Sequence, residues 1–182
     1  PRPALARANL ARFYAMADEW DTATSILEVA VSQEPDNIEL KVKHADMLAN
    51  AGQWREALMI FEAAVKKFPE NASLLRSTAI SAQMSKQNTR AVELYTRTMA
   101  AGLADKQIYS NLIAALIELG RIDEAHRHAV DWCAAMPADI EAMAFMALLE
   151  VEVGNHDVAA RWFDFGRFVK GHTIEVPAGY DD

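Results

Sequence analysis

The chain has 182 residues, 52% hydrophobic and 24% charged, which suits a folded domain and excludes a disordered one. Its net charge of −8, with no Lys/Arg run to offset it, repels phosphate backbones and anionic lipid, so we expect neither nucleic acid nor membrane as partner. No window approaches the roughly 20 consecutive apolar residues of a membrane span, and the single Cys133 reads as a small apolar side chain in a reducing, cytoplasmic setting.

In chain order, the first predicted hairpin of helices covers about 4–37, its second helix running through EWDTATSILEVAVSQ and closing at Pro35. The second, about 38–71, breaks at Gly52, restarts at Trp54 and closes at Pro69. The third, about 72–105, ends in Ala101-Gly102-Leu103 where its neighbours use Pro, so its boundary is the least sharply marked. The fourth, about 106–139, breaks at Gly120 and closes at Pro137, and the fifth, about 140–173, breaks at Gly154. Residues 174–182 form a short extended tail or a linker. The absence of an initial Met, and the polar ending Ala178-Gly179-Tyr180-Asp181-Asp182, lead us to expect a piece of a longer protein.

One residue recurs through all five units. Ala23, Ala57, Ala91, Ala125 and Ala159 stand 34 residues apart, each followed four residues later by Leu27, Phe61, Tyr95, Ala129 or Phe163. A small side chain at the first place lets two helix backbones approach, and the second lies one turn further along the same face. A hairpin of this kind cannot cover its own apolar face, so neighbours must stack. In the first helices an apolar–small pair recurs as Leu10-Ala11 and Leu112-Ile113, and in weaker form as His44-Ala45, Thr78-Ala79 and Met146-Ala147.

With this period and its small–aromatic–Pro signature, the sequence resembles the tetratricopeptide repeat family over nearly its whole length. It departs at the family's opening Trp, replaced by Arg7, Lys41, Leu75, Tyr109 and Met143. The resemblance implies an all-α, right-handed solenoid whose first helices line a concave groove for a peptide or protein partner. By register the groove draws Asn9, Arg12 and Met16 from unit one, Lys43, Asp46 and Asn50 from unit two, and Arg76, Ile80, Gln83 and Met84 from unit three. Unit four adds Asn111, Ala114 and Glu118, and unit five Phe145, Leu148 and Glu152. Members that clamp a C-terminal carboxylate do so with a Lys/Asn/Arg set that this chain does not reproduce.

Catalytic patterns are absent from the sequence. His44-Ala45-Asp46 spells the H-x-D of an iron site, but on a helix residues i and i+2 point about 200° apart, which prevents shared ligation. His126-Arg127-His128 fails in the same way, and His156 lies at a helix start where Asn155 or Asp157 is the better cap. Zinc, phosphate-loop, nucleophile-elbow and dinucleotide signatures are missing. We therefore expect a scaffold with no metal, no cofactor and no catalysis of its own.

The fifth unit carries a second apolar stripe, Val158, Trp162, Phe165 and Val169, on a helix whose other face is already taken by Ala159 and Phe163. End units should turn polar toward water. We expect this stripe to be covered by the tail, by a second copy in a homodimer, or by a missing C-terminal domain. The closing RWFDFGRFVKGHTIEVPAGYDD resembles the junction at which bacterial repeat proteins continue into a 2-oxoglutarate/Fe(II) oxygenase domain. The matching features are Phe163-Asp164-Phe165, Arg167, the stretch Ile174 to Val176 and Pro177-Ala178-Gly179-Tyr180. That resemblance implies an enzyme whose catalytic residues all lie beyond Asp182.

Overall fold

The computed structural model describes residues 3–170, with side chains for 4–166. The expected tail, 174–182, lies outside the described residues, as does the side chain of Val169. The described residues form ten helices and no strand: α1 (Pro3–Met16), α2 (Trp20–Gln33), α3 (Ile38–Asn50), α4 (Trp54–Val65), α5 (Ala72–Met84), α6 (Asn88–Ala100), α7 (Lys106–Glu118), α8 (Ile122–Ala135), α9 (Ile140–Glu152) and α10 (His156–Lys170). The architecture is the all-α helical-repeat fold that the 34-residue period predicts. None of these helices is long and apolar enough to cross a membrane.

The chain divides into two compact units, the sequence boundary falling between Leu103 and Ala104. In the first, α1 to α6 pack serially, each against the next, and α1 also touches α3. In the second, α7 to α10 pack serially, and α7 also touches α9.

Every hairpin turns by the same device. At 34-residue steps, Asp18, Gly52, Lys86, Gly120 and Gly154 adopt left-handed backbone, with φ of 58°, 79°, 63°, 70° and 82°. The N–H of the following residue then reaches back to a carbonyl five residues earlier: Glu19 to Tyr14, Gln53 to Leu48, Gln87 to Ala82, Arg121 to Leu116 and Asn155 to Glu150, all between 2.8 and 3.0 Å. This is the Schellman closure, which satisfies carbonyls left open at a helix end. Three of the turns use glycine, as the sequence marks, while Asp18 and Lys86 take the same conformation without it.

The next first helix is started with equal regularity. Asn37, Asn71, Asp105 and Asp139 cap α3, α5, α7 and α9, their side chains accepting from the N–H of Leu40, Leu74, Ile108 and Glu141. Such a cap is worth about 1 kcal/mol. After α6, where a closing Pro is lacking, Gly102 at φ 89° ends the hairpin instead.

The core lies where the repeat puts small residues. Ala23, Ala57, Ala91, Ala125 and Ala159 are all 0% exposed, and so are Ala11, Ala45, Ala79, Ile113 and Ala147 on the first helices. Between these contacts lie the larger Leu27, Phe61 and Tyr95, each buried. In α8 the corresponding place holds only Ala129, and bulk is supplied three residues later by the fully buried Trp132. Its indole stacks on Tyr109 at 5.8 Å and 9°, and meets Phe145 at 5.7 Å.

Candidate functional site

α3 and α5, each started by an Asn cap and each packed on α4, both border one depression of about 360 Å³. Its lining includes Glu39, Val42 and Asp46 from α3, Phe68 from the α4–α5 connection, and Leu74 and Ser77 from α5. Phe68 is half exposed at 50%. The depression therefore has apolar walls, and two carboxylates, Glu39 and Asp46, stand among them.

Asp46 is half-buried, and this burial raises its carboxyl pKa above the usual aspartate range. The Asn50 amide donates to the Asp46 backbone carbonyl at 2.7 Å, so it leaves the carboxylate alone. No described residue hydrogen-bonds to that carboxylate or pairs with it. A partly dehydrated anion without a donor can accept backbone N–H groups or a cation from a bound segment.

The other residues assigned to the groove by register are placed as follows. On α1, Asn9, Arg12 and Met16 are exposed, Met16 at 81%. Lys43 turns along its own helix to Glu39, 2.7 Å away, an exposed pair that lowers the Glu39 pKa. Arg76 and Ile80 are half-buried on α5, and Gln83 accepts the Tyr95 hydroxyl at 2.8 Å, which ties α5 to α6. Met84 is 52% exposed. In the second unit Asn111 and Ala114 are half-buried, Glu118 and Glu152 are exposed, Leu148 is 44% exposed, and Phe145 leans on Trp132. Reading by register omits Glu39, Val42 and Phe68. Val42 precedes Asp46 by one turn on the same face, the signal that would have found it.

His44 and Asp46 point to different sides of α3, as the helical geometry requires. Asp46 lines the depression beside α5, while His44 lines a separate hollow between α2 and α4. No group of three or more potential metal ligands exists among the described residues. His126 bonds to Glu150 at 2.9 Å, and His128, whose pKa burial lowers, stands 4.0 Å from Asp131. Asn155 gives its side-chain amide to Glu150 at 2.9 Å. Cys133 is half-buried and its thiol pKa is raised by that burial, which makes it a poor nucleophile.

On α10 the inner face is set by Ala159 and Gly166, both buried against α9. Along the stripe, Val158 is 38% and Phe165 49% exposed, and Trp162 is half-buried.

Residues 40–71 match one tetratricopeptide repeat family model, and residues 4–28 and 107–130 match a second. These three stretches match as tetratricopeptide repeats. Among solved structures it is similar to the MamA protein, with a TM-score of 0.84 at 17% identity over 96% of this chain and 98% of that one. It is also similar to MamA residues 41 to the end from Desulfovibrio magneticus RS-1, with a TM-score of 0.83, 18% identity, and 93% and 96% coverage. A third is YrrB, described as a TPR protein with an unusual peptide-binding site, with a TM-score of 0.76, 16% identity, and 93% and 88% coverage. No curated protein sequence matches significantly. These likenesses establish the fold, and they lend no support to the resemblance of the tail to an oxygenase junction.

Proposed function

We propose that this chain is a protein-interaction module that holds a peptide or protein segment against the first-helix face of its first unit, at the depression between α3 and α5. The observation that carries the reading is Asp46, a half-buried carboxylate without a donor, beside the apolar Val42, Phe68 and Leu74. An extended segment suits this surface because its N–H groups meet Asp46 while one apolar side chain enters the depression. The peptide-binding description of YrrB, a protein of the same fold, supports it. The setting we propose is cytoplasmic, where a lone thiol such as Cys133 stays reduced.

The test is selection of peptides from a displayed library on the intact chain, followed by calorimetry of the winners against Asp46→Asn and Val42→Glu. We expect both variants to bind at least about tenfold more weakly, since one loses the charge and the other blocks the apolar wall. Winners that bind both variants as tightly as the parent would reject this site.

A second reading concerns the α10 stripe, where the exposed Val158 and Phe165 favour docking of a second copy or a following domain. The oxygenase reading would put every catalytic residue beyond Asp182, so the described residues carry none of its chemistry.

A further inference from the structure

The hollow that receives His44 lies on the other side of α3 and has a character of its own. Its floor is His44 and Leu48, one turn apart on α3, and its walls are Glu28 from α2 and Glu56, Met59 and Ile60 from α4. The volume is about 520 Å³, inside the roughly 300–1,000 Å³ range of ligand pockets. Met59 is 73% exposed above it, far more than a core methionine would be.

Its charge is unbalanced. Glu28 and Glu56 have no hydrogen-bond or ion-pair partner among the described residues, and both line the hollow, Glu28 close enough to the His44 imidazole on the floor to act on its charge. Two cations of α3 and α4 are engaged elsewhere: Lys43 is held by Glu39, and Arg55 lines a separate hollow with Met84 and Lys86. The hydroxyls of Thr24 and Ser25, on the α2 wall, are both spent on the Asp21 carbonyl at 2.9 Å. What the hollow offers is two carboxylates, a polarizable thioether, the apolar Leu48 and Ile60, and one imidazole.

We propose that this hollow is a second docking site, on the second-helix side, for a segment in which Arg or Lys neighbours a bulky apolar side chain. The apolar side chain settles on Leu48, Ile60 and Met59, and the cation lies between Glu28 and Glu56. Met59 adapts its shape to the guest, as flexible thioethers do at recognition surfaces. Charge complementarity decides the occupant, since an anionic or purely apolar segment would leave both carboxylates unanswered. This site stands independently of the Asp46 depression, so the module can hold two segments at once.

The experiment labels the methionine methyls of the whole chain with 13C and assigns Met59 by Met59→Leu. The probe is the peptide Gly-Ser-Arg-Leu-Leu-Arg-Ser-Gly, beside versions with Glu for Arg and with Ser for Leu. We expect the Arg-Leu peptide to move the Met59 methyl saturably, and both altered peptides to bind about tenfold more weakly or worse. Glu28→Gln/Glu56→Gln, checked by circular dichroism to be folded, should weaken binding by about the same factor, and Asp46→Asn should leave it unchanged. An unmoved Met59 methyl overturns the proposal. So does equal binding to the double variant, or equal binding of the Arg-Ser peptide, which would show only diffuse attraction to an acidic protein. Loss of binding in Asp46→Asn would assign the peptide to the other face and also overturn it.

Discussion

One carboxylate oxygen of Glu150 lies 2.9 Å from His126 Nε2, while the other accepts from the Asn155 amide, also at 2.9 Å. Glu150 is only 7% exposed, and its backbone carbonyl closes the turn by accepting the Asn155 N–H at 2.8 Å. Three segments of the second unit, α8, α9 and the turn before α10, are thus joined at one buried acid. The imidazole supplies its main stabilisation, with Asn155 second, and together they hold the carboxyl pKa below the usual glutamate value.

Glu150→Ala should cost about 1 kcal/mol, because it takes the acceptor from a half-buried imidazole and an exposed amide that water can partly serve. Thermal unfolding of the whole chain measures it, and Glu150→Gln should cost less by keeping the shape and one acceptor oxygen. Since the folded pKa is depressed, the charged carboxylate stabilises the fold above the ordinary glutamate value of 4.5, and that contribution is lost as pH falls through the lower folded pKa. The gap in melting temperature between parent and Glu150→Gln should narrow on acidification.

Asp46 has the opposite sign. Burial raises its pKa, so the fold is favoured while the group is protonated, below the ordinary aspartate value of 3.8, and loses that advantage as pH rises through the folded pKa. Asp46→Asn should therefore melt higher than the parent near neutral pH and no higher under acid. A variant that gains stability while losing ligand would mark a residue kept for binding.

The turn glycines allow a clean backbone test. A Cβ at Gly52 or Gly120 would meet no atom within 4 Å, yet both sit at positive φ, 79° and 70°. Gly52→Ala and Gly120→Ala should each destabilise by about 1–2 kcal/mol through the left-handed backbone alone. Gly166→Ala should do the reverse, since its Cβ would make ordinary contacts with Met143 and Ile140 at 3.8 to 3.9 Å inside a helix, where alanine gains up to about 1 kcal/mol. Denaturant titration of the three variants would show the sign change.

For the α10 stripe, light scattering over a range of concentrations should compare the parent with Trp162→Glu/Phe165→Lys. We expect the parent to self-associate and the variant to be a folded monomer. A parent that stays monomeric would remove the second copy as occupant of this face.

The repeat was legible because its small residues are imposed by backbone approach, which tolerates nothing larger than a methyl at Ala57 or Ala91. The turns were half legible: glycine marks three of them, but Asp18 and Lys86 conceal the same left-handed backbone behind ordinary side chains. Asn37, Asn71, Asp105 and Asp139 also recur every 34 residues, a second periodic signal that confirms the register from cap chemistry alone. The proposed binding surfaces were harder to read. Asp46 emerged from its place in the repeat, whereas Phe68 reaches the depression from the end of a second helix, and the Glu28–Glu56 hollow joins residues of two hairpins. Contacts between units depend on how neighbouring helices stack, which spacing within one unit does not encode.

The chemistry that recurs between hairpins has a consequence for how such a chain can change. Asn37 and Asn71 carry the same cap and precede equivalent helices, so excising 38–71 would join Asn37 to Ala72 with every turn hydrogen bond still available. A duplication between the same points would be equally well formed at its seams. Length can thus be gained or lost in whole 34-residue steps by a single recombination, with no new loop to evolve. What each step alters is the set of faces brought side by side: the depression and the hollow, each built from neighbouring hairpins, would be reshuffled into new pairings while the frame stayed the same.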